Sequence, residues 1–289
     1  MSAKEKLKML KENEQNLFIV HYSCQNLNDN NENYSPRITS IAVLHVGGST
    51  MHSFSIHLIA EVKDIERSTI HEHYNELECE MLKQFFDFVA ENNNAFWLHW
   101  NMSNINYGFE ALAHRYKVLS KSDPKRIPDS KRYNLSALLL SVYGKNCVEH
   151  PRMQSFMKLN DGEHRDNLSG KEEVDAFTEK EYVKLHKSTM SKVYWFQHMY
   201  FLLQQDKVNV HSRNWGHKVN YFLERPAVKV LGFIAVLFSI FQLGQFAITS
   251  YDKNLTKEQT NEQRNLTRKS SGQFKASYLL QKNAKDLPL

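Results

Sequence analysis

The first residues of this chain that could do chemistry stand where an apolar run ends. In "NLFIVHYSCQNLND", Asn16 to Asp29, the stretch Leu17 to Tyr22 is apolar with one β-branched pair, and the polar positions in and after it are His21, Ser23, Cys24 and Gln25. Hydrolysis of a phosphodiester with two metal ions needs several carboxylates close together to hold two hard cations. None of these four side chains is an acid. A second group sits in "WLHWNMSNINYGFEAL", with His99, Asn101, Asn106 and Tyr107. A third is "HRDNLSGKEEVDAF", where His164 is followed by Asp166, Glu172 and Asp175, acids that could stand in for missing ligands.

The fourteen histidines invite a metal reading. "IHEHYNELE" offers His71 and His73 with Glu76 and Glu78. Residues two apart share a face on a strand but not on a helix, and no Cys/His pair recurs at zinc spacing. A solvated polar helix opening therefore explains this cluster better, and no metal site is expected. Motifs of zinc proteases, dinucleotide folds, phosphate-binding loops and nucleophile elbows are absent. Ser188 and Thr189 near His186 fall in a helical stretch and read as solvent-facing hydroxyls rather than nucleophiles.

These residues need elements to position them. Leu17–Tyr22 reads as a first strand, Arg37–Val46 as a second and Met51–Ile59 as a third, with Gly47 and Gly48 in the turn between the last two. "ELECEMLKQFFDFVAENN" has helical spacing at Leu77, Met81, Phe85, Phe88 and Val89. "AFWLHW" is a fourth strand. "INYGFEALAHRYKVL" and "YNLSALLLSVYG" are helices, the latter stopped by Gly144. Three strands, a helix, a strand and then helices predict an α/β fold: a mixed sheet with flanking helices. From Lys145 to Arg225 the chain is mostly helical. "KEEVDAFTEKEYVKLHKSTMSKVYWFQHMYFLLQQ" fits one long helix or two, with Val174, Phe177, Val183, Val193, Phe196 and Leu203 packing back on the sheet.

The clearest compositional signal is "AVKVLGFIAVLFSIFQLGQFAITS", Ala227 to Ser250, which carries one charge, Lys229. About 20 apolar residues cross a bilayer. The preceding "SRNWGHKVNYFLER" mixes cations and aromatics, as a membrane–water interface does, and a nucleic-acid groove would use the same residue types. The expected layout is a polar N-terminal helix over 1–15, the α/β domain over 16–176, a helical connector over 177–226, a transmembrane helix over 227–250 and a polar tail over 251–289. Gly232, Ser239, Gln242, Gln245 and Thr249 project onto one stripe of that helix, the expected contact surface for a homo-oligomer or for another membrane protein. The net charge of +5 is spread along the chain, and Cys24, Cys79 and Cys147 follow no metal-like or paired pattern. Unpaired thiols and the lack of a signal-peptide core place the N-terminal domain in the cytoplasm.

Residues Asn16 to about Asp175 resemble the DnaQ-like 3′–5′ exonucleases, which have a ribonuclease-H-like fold. That family's first strand ends in Asp-x-Glu. In "VHYSCQNL", His21 stands at the Asp position and Ser23 at the Glu position, with Asn26 and Leu27 closing the motif. The second motif, a strand ending in His-Asn before a helix that opens with Phe-Asp, resembles the segment holding His99 and Asn101; Asn106, or Tyr107 beside it, falls at the Asp position. The third, a His five residues before an Asp, begins at His164, with Ser169 at the Asp position; Asp175 matches only after an insertion. The resemblance implies a site that has lost its acids, because imidazole and carboxamide do not replace carboxylates around Mg²⁺. It implies a membrane-anchored, catalytically degenerate module that binds or senses a nucleic acid or a protein partner. Two other readings stand beside it. One is a membrane-tethered nuclease using Mg²⁺ or Mn²⁺ with substituted ligands; the other is an effector that perturbs the bilayer through helix oligomerisation.

Overall fold

The computed structural model describes residues 1–25, 35–103, 106–211, 230–251, 253, 257 and 264. Asn26 and Leu27, the cation-and-aromatic segment from Ser212, the start of the apolar run at 227–229 and nearly all of the tail lie outside the described residues. The chain divides into two compact units, Met1–Lys218 and Val219–Leu289.

The first unit is built on β1 (Leu17–Cys24), whose eight residues are all buried. It is buried because it pairs on both sides. β2 (Ile38–His45) runs antiparallel to it, with Val20 opposite Val43, and β4 (Phe96–His99) runs parallel, with Val20 opposite His99. β3 (Thr50–Ser55) adds to β2 antiparallel, and β5 (Arg132–Asn134) adds to β4 parallel. The five-stranded sheet has the order β3-β2-β1-β4-β5. The turn between β2 and β3 needs glycine for space, since a Cβ on Gly47 would lie 2.8 Å from the Cα of Gln15.

Side chains of β1 alternate between two cores, as a strand requires. Phe18, Val20 and Tyr22 join the cluster roofed by α2 (Ile56–Val62), α3 (Tyr74–Glu91) and α4 (Phe109–Ser120). Leu17 and Ile19 join the opposite cluster, with α1 (Ala3–Glu12), α5 (Leu135–Tyr143), α6 (Arg152–Leu159) and α8 (Tyr182–Gln204). α7 (Gly170–Thr178) precedes α8 and opens with a capping box from Ser169 and Glu172.

The mixed α/β architecture agrees with the sequence reading, three details differ, and the choice between one helix and two after Gly170 is resolved. The expected third strand stops at Ser55, and Ile56, Ile59 and Ala60 form the buried face of a helix instead. β5 lies within three residues, too few for a period to show. The 1–15 helix is amphipathic, with Leu7 and Leu10 buried. α7 and α8 are two helices, and α8 packs on the sheet through Val193, Phe196, Met199 and Leu203.

In the second unit Val230–Tyr251 is one helix, α9, with a mean hydropathy of 2.0 and no burial within the structure. It is long and apolar enough to cross a membrane.

Candidate functional site

The end of β1 carries Ile19, His21 and Ser23 on the face that meets α8. His21 is 5% exposed, and the ring of Phe196 from α8 stands edge-on to it at 5.3 Å. Its Nδ1 lies 3.1 Å from the hydroxyl of Tyr107, which itself donates to the carbonyl of Tyr22 at 3.2 Å. With that proton committed, the phenol oxygen accepts from His21 Nδ1–H, which fixes the neutral tautomer. Burial first, and then the Lys192 ammonium, hold the imidazole pKa well below the usual histidine range. His21 is therefore neutral at pH 7.

Ser23 donates to Glu173 Oε1 of α7 at 3.1 Å and lies 2.7 Å from the hydroxyl of Thr189 on α8. Thr189 is 2.8 Å from Ser40 of β2 and donates back to the Leu185 carbonyl at 2.9 Å. Ser188 also donates to Glu173 Oε1, at 3.2 Å. The group that decides the chemistry is Lys192. Its Nζ lies 2.6 Å from the same Glu173 oxygen, with the lysine side chain 7% and the glutamate side chain 17% exposed. One carboxylate thus receives an ammonium and two hydroxyls. A charge pair so far from water persists only when its hydrogen-bonding groups are matched.

At the neighbouring strand end, His99 of β4 is 2% exposed, and its Nδ1 accepts the Met102 amide at 3.0 Å. Burial lowers its pKa to about 3, with Arg132 adding to the effect. Asn101 adopts a positive φ of 53° and exchanges hydrogen bonds with Asn134, which caps α5. This pair shapes the loop after β4 and joins it to the end of β5.

A cavity of about 430 Å³ opens at the ends of β1 and β4, lined by His21, Trp100, Tyr107, Arg152, Glu173 and Lys192 among others. The first turn of α6 also lines it through Arg152, Met153 and Gln154. Pro151 caps that helix without a side-chain hydrogen bond, so its leading amides favour negative charge. Ligand sites of α/β sheets lie outside the carboxyl ends of strands, which is where this cavity lies. An adjoining cavity of about 410 Å³ shares Met153, Gln154 and Lys192 with it.

The structure sets His21 and Ser23 on one face and brings Asn101 and Tyr107 to the cavity with His21, whereas His164, Asp166 and Asp175 lie elsewhere. Tyr107 meets His21, and Asn106 is exposed. His164 is exposed in the adjoining cavity, where its Nδ1 accepts the Asp166 amide at 3.3 Å. Glu172 is spent on the Ser169 cap, Asp175 is exposed on α7, and Asp166 lines a separate cavity with His57. Glu78 corrects the reading of a solvated helix opening. It is fully buried and takes two hydrogen bonds from Arg115 and one from the Ile38 amide. Ser188 and Thr189 correct the surface reading, since both are buried in the network above.

The donors at the end of β1 do not suit Mg²⁺ or Mn²⁺, which take clusters of oxygen ligands. There the carboxylate nearest Ser23, that of Glu173, is already paired with Lys192. Among the described residues no group of three or more His, Cys, Asp or Glu side chains could hold a metal ion. Sequence reasoning missed Glu173, Lys192 and Arg152. Its available signal was polar residues on the buried stripe of α8, Ser188, Thr189 and Lys192 among Leu185, Val193 and Phe196.

In α9 the stripe residues separate into two kinds. Ser239 donates to the Ala235 carbonyl and Thr249 to the Gln245 carbonyl, both at 2.8 Å. Gly232 has open space about it. Only the carboxamides of Gln242 and Gln245 bring side-chain polarity that the helix backbone does not absorb in this way.

Comparison of the chain with protein-family models, with curated proteins and with solved structures finds no match.

Proposed function

We propose that this chain is a membrane-anchored binding module: a ribonuclease-H-like domain of the DnaQ-like exonuclease type that has exchanged metal-dependent catalysis for recognition. The observation that carries this reading is the placement of Lys192. Its ammonium lies against the Glu173 carboxylate beside His21 and Ser23, where the resemblance calls for a metal held by acids. A fixed cation there neutralises the local carboxylate but cannot generate a hydroxide nucleophile as a metal does. The strand order and the antiparallel first three strands with parallel β4 and β5 support the fold part of the reading.

The cavity above this pair combines Trp100 and Tyr107 with Arg152, Lys192 and the open first turn of α6. Aromatic faces beside cations suit a nucleic-acid ligand, with bases stacking and phosphates paired. A protein partner with an acidic side chain is the other ligand in the proposal. The domain lies in the cytoplasm, and α9 anchors it as a single pass. Association of α9 helices through Gln242 and Gln245 would give a homo-oligomer and couple occupancy of the cavity to the membrane.

The test is binding of labelled single-stranded DNA and RNA to the full chain in detergent, with and without Arg152→Ala. Saturable binding that weakens about tenfold or more in the variant supports the module. Equal binding by both proteins, or none by either, removes nucleic acid as the ligand. The tethered-nuclease reading needs acids at the β1 end, and Asp166, Glu172 and Asp175 do not converge there.

A further inference from the structure

Two neighbouring helices of the first unit present stripes of different character to solvent. On α1, Lys4, Lys8 and Lys11 recur at helical spacing and are exposed, above the buried Leu7 and Leu10. On α8, Tyr194, His198 and Phe201 recur at the same spacing. Tyr194 is 51% and Phe201 36% exposed, while Trp195, Phe196 and Met199 between them are buried. Gln204 ties the two helices by donating to the Leu7 carbonyl at 2.8 Å, and the Tyr200 hydroxyl donates to Glu14, just past α1, at 3.0 Å. Each helix thus offers solvent its own stripe, lysines on α1 and aromatics on α8, and the two are joined near Gln204.

The acids on α1 offset this only in part, with Glu12 paired to Lys8 at 3.8 Å. Glu5 accepts the Ser2 amide in a capping box. α1 carries four lysines against two glutamates, and Lys187 adds a cation to the exposed face of α8.

We propose that the α1–α8 surface rests on the headgroups of an anionic bilayer. Exposed aromatics seat at the level of lipid headgroups, and lysines beside them pair with anionic lipid. The chain leaves α8 close to this surface, and residues 212–229 then lead to α9. Fully extended, that segment reaches at most about 65 Å, which tethers the first unit within that distance of the bilayer that α9 enters. A second copy of the chain is a poorer occupant, because a symmetric contact would bring two lysine stripes towards each other. The inference rests on the reading that α9 spans the bilayer.

The test uses the full chain in nanodiscs of phosphatidylcholine, with or without phosphatidylserine. Cys79→Ser removes the partly exposed native thiol. His198→Cys carries a fluorophore in one preparation and Leu237→Cys carries it in another, and quenching by headgroup and mid-chain nitroxide lipids is read. The label at 198 is expected to be quenched several-fold more by headgroup nitroxide in the anionic discs. That difference should vanish at high salt and in Lys4→Gln/Lys8→Gln/Lys11→Gln, since each lysine near such a surface is worth roughly fivefold in partition. An unquenched label at 198 with a label at 237 quenched by mid-chain nitroxide overturns the surface proposal alone. An unquenched label at 237 overturns the span and the proposal with it. Cross-linking between two copies through position 198, in place of quenching, assigns the surface to a second copy and also overturns it.

Discussion

The Nζ of Lys192 lies 2.6 Å from Oε1 of Glu173, and the same oxygen takes hydrogen bonds from Ser23 and Ser188. This one carboxylate ties α7 and α8 to the end of β1. It sets an ammonium beside the end of β1.

Breaking the pair from one side should cost more than removing both charges. Lys192→Met leaves Glu173 a largely buried carboxylate without its counter-charge. A loss of about 2 kcal/mol or more is expected, below the full buried-pair figure because Glu173 keeps some solvent contact. Lys192→Met with Glu173→Gln should recover much of it. Urea unfolding of the two single variants and the double variant measures the coupling, and additive losses would show that the pair contributes nothing.

Glu78 and Arg115 make the same case deeper in the fold. Glu78 is fully buried; burial pushes its carboxyl up, and Arg115 draws it back down. Glu78→Ala should take the counter-charge from the guanidinium and free the Ile38 amide, at a cost of about 3–5 kcal/mol. Loss of under 1 kcal/mol in urea unfolding would contradict this.

Acid should weaken the domain before its carboxylates titrate. Burial lowers His21 well below the usual range, His99 to about 3 and His186 to about 4, with smaller contributions from Lys192, Arg132 and His57 in turn. These groups are neutral in both states above about pH 6.5, so their full contribution is present there. Below it the unfolded chain binds protons that the folded chain refuses, and stability falls as pH drops towards 4. Each histidine contributes a slope of about 1.4 kcal/mol per pH unit in that window. Urea midpoints at pH 7.5 and pH 5 read this, and His186→Asn should flatten the difference. A stability that rises on going to pH 5 would contradict it.

Much of the sheet was legible because β1, β2 and β4 are apolar runs of strand length. The α2 helix was not. "MHSFSIHLI" alternates well enough to pass for one strand, and only Ile56, Ile59 and Ala60 carry the helical spacing that wins once they pack. The site was half legible for a different reason. His21 and Ser23 are neighbours in sequence, whereas Ser23 and Glu173 lie 150 residues apart. Their meeting depends on how α7 and α8 fold back across the sheet, and no local pattern encodes that.

For α9, Gln242→Leu with Gln245→Leu should reduce cross-linked oligomers in membranes, since these carboxamides would otherwise face lipid. Unchanged oligomers would exclude the stripe as the contact. The tail should be open to protease in sealed right-side-out vesicles, and a protected tail would mean a reversed or non-spanning helix.

The most direct test of the account is digestion of labelled single-stranded DNA and RNA by the full chain with Mg²⁺ or Mn²⁺. The account predicts that the strands stay intact in both metals, in wild type and in Lys192→Met alike. Robust digestion by the wild type, abolished by EDTA and by Asp166→Asn or Asp175→Asn, would contradict it.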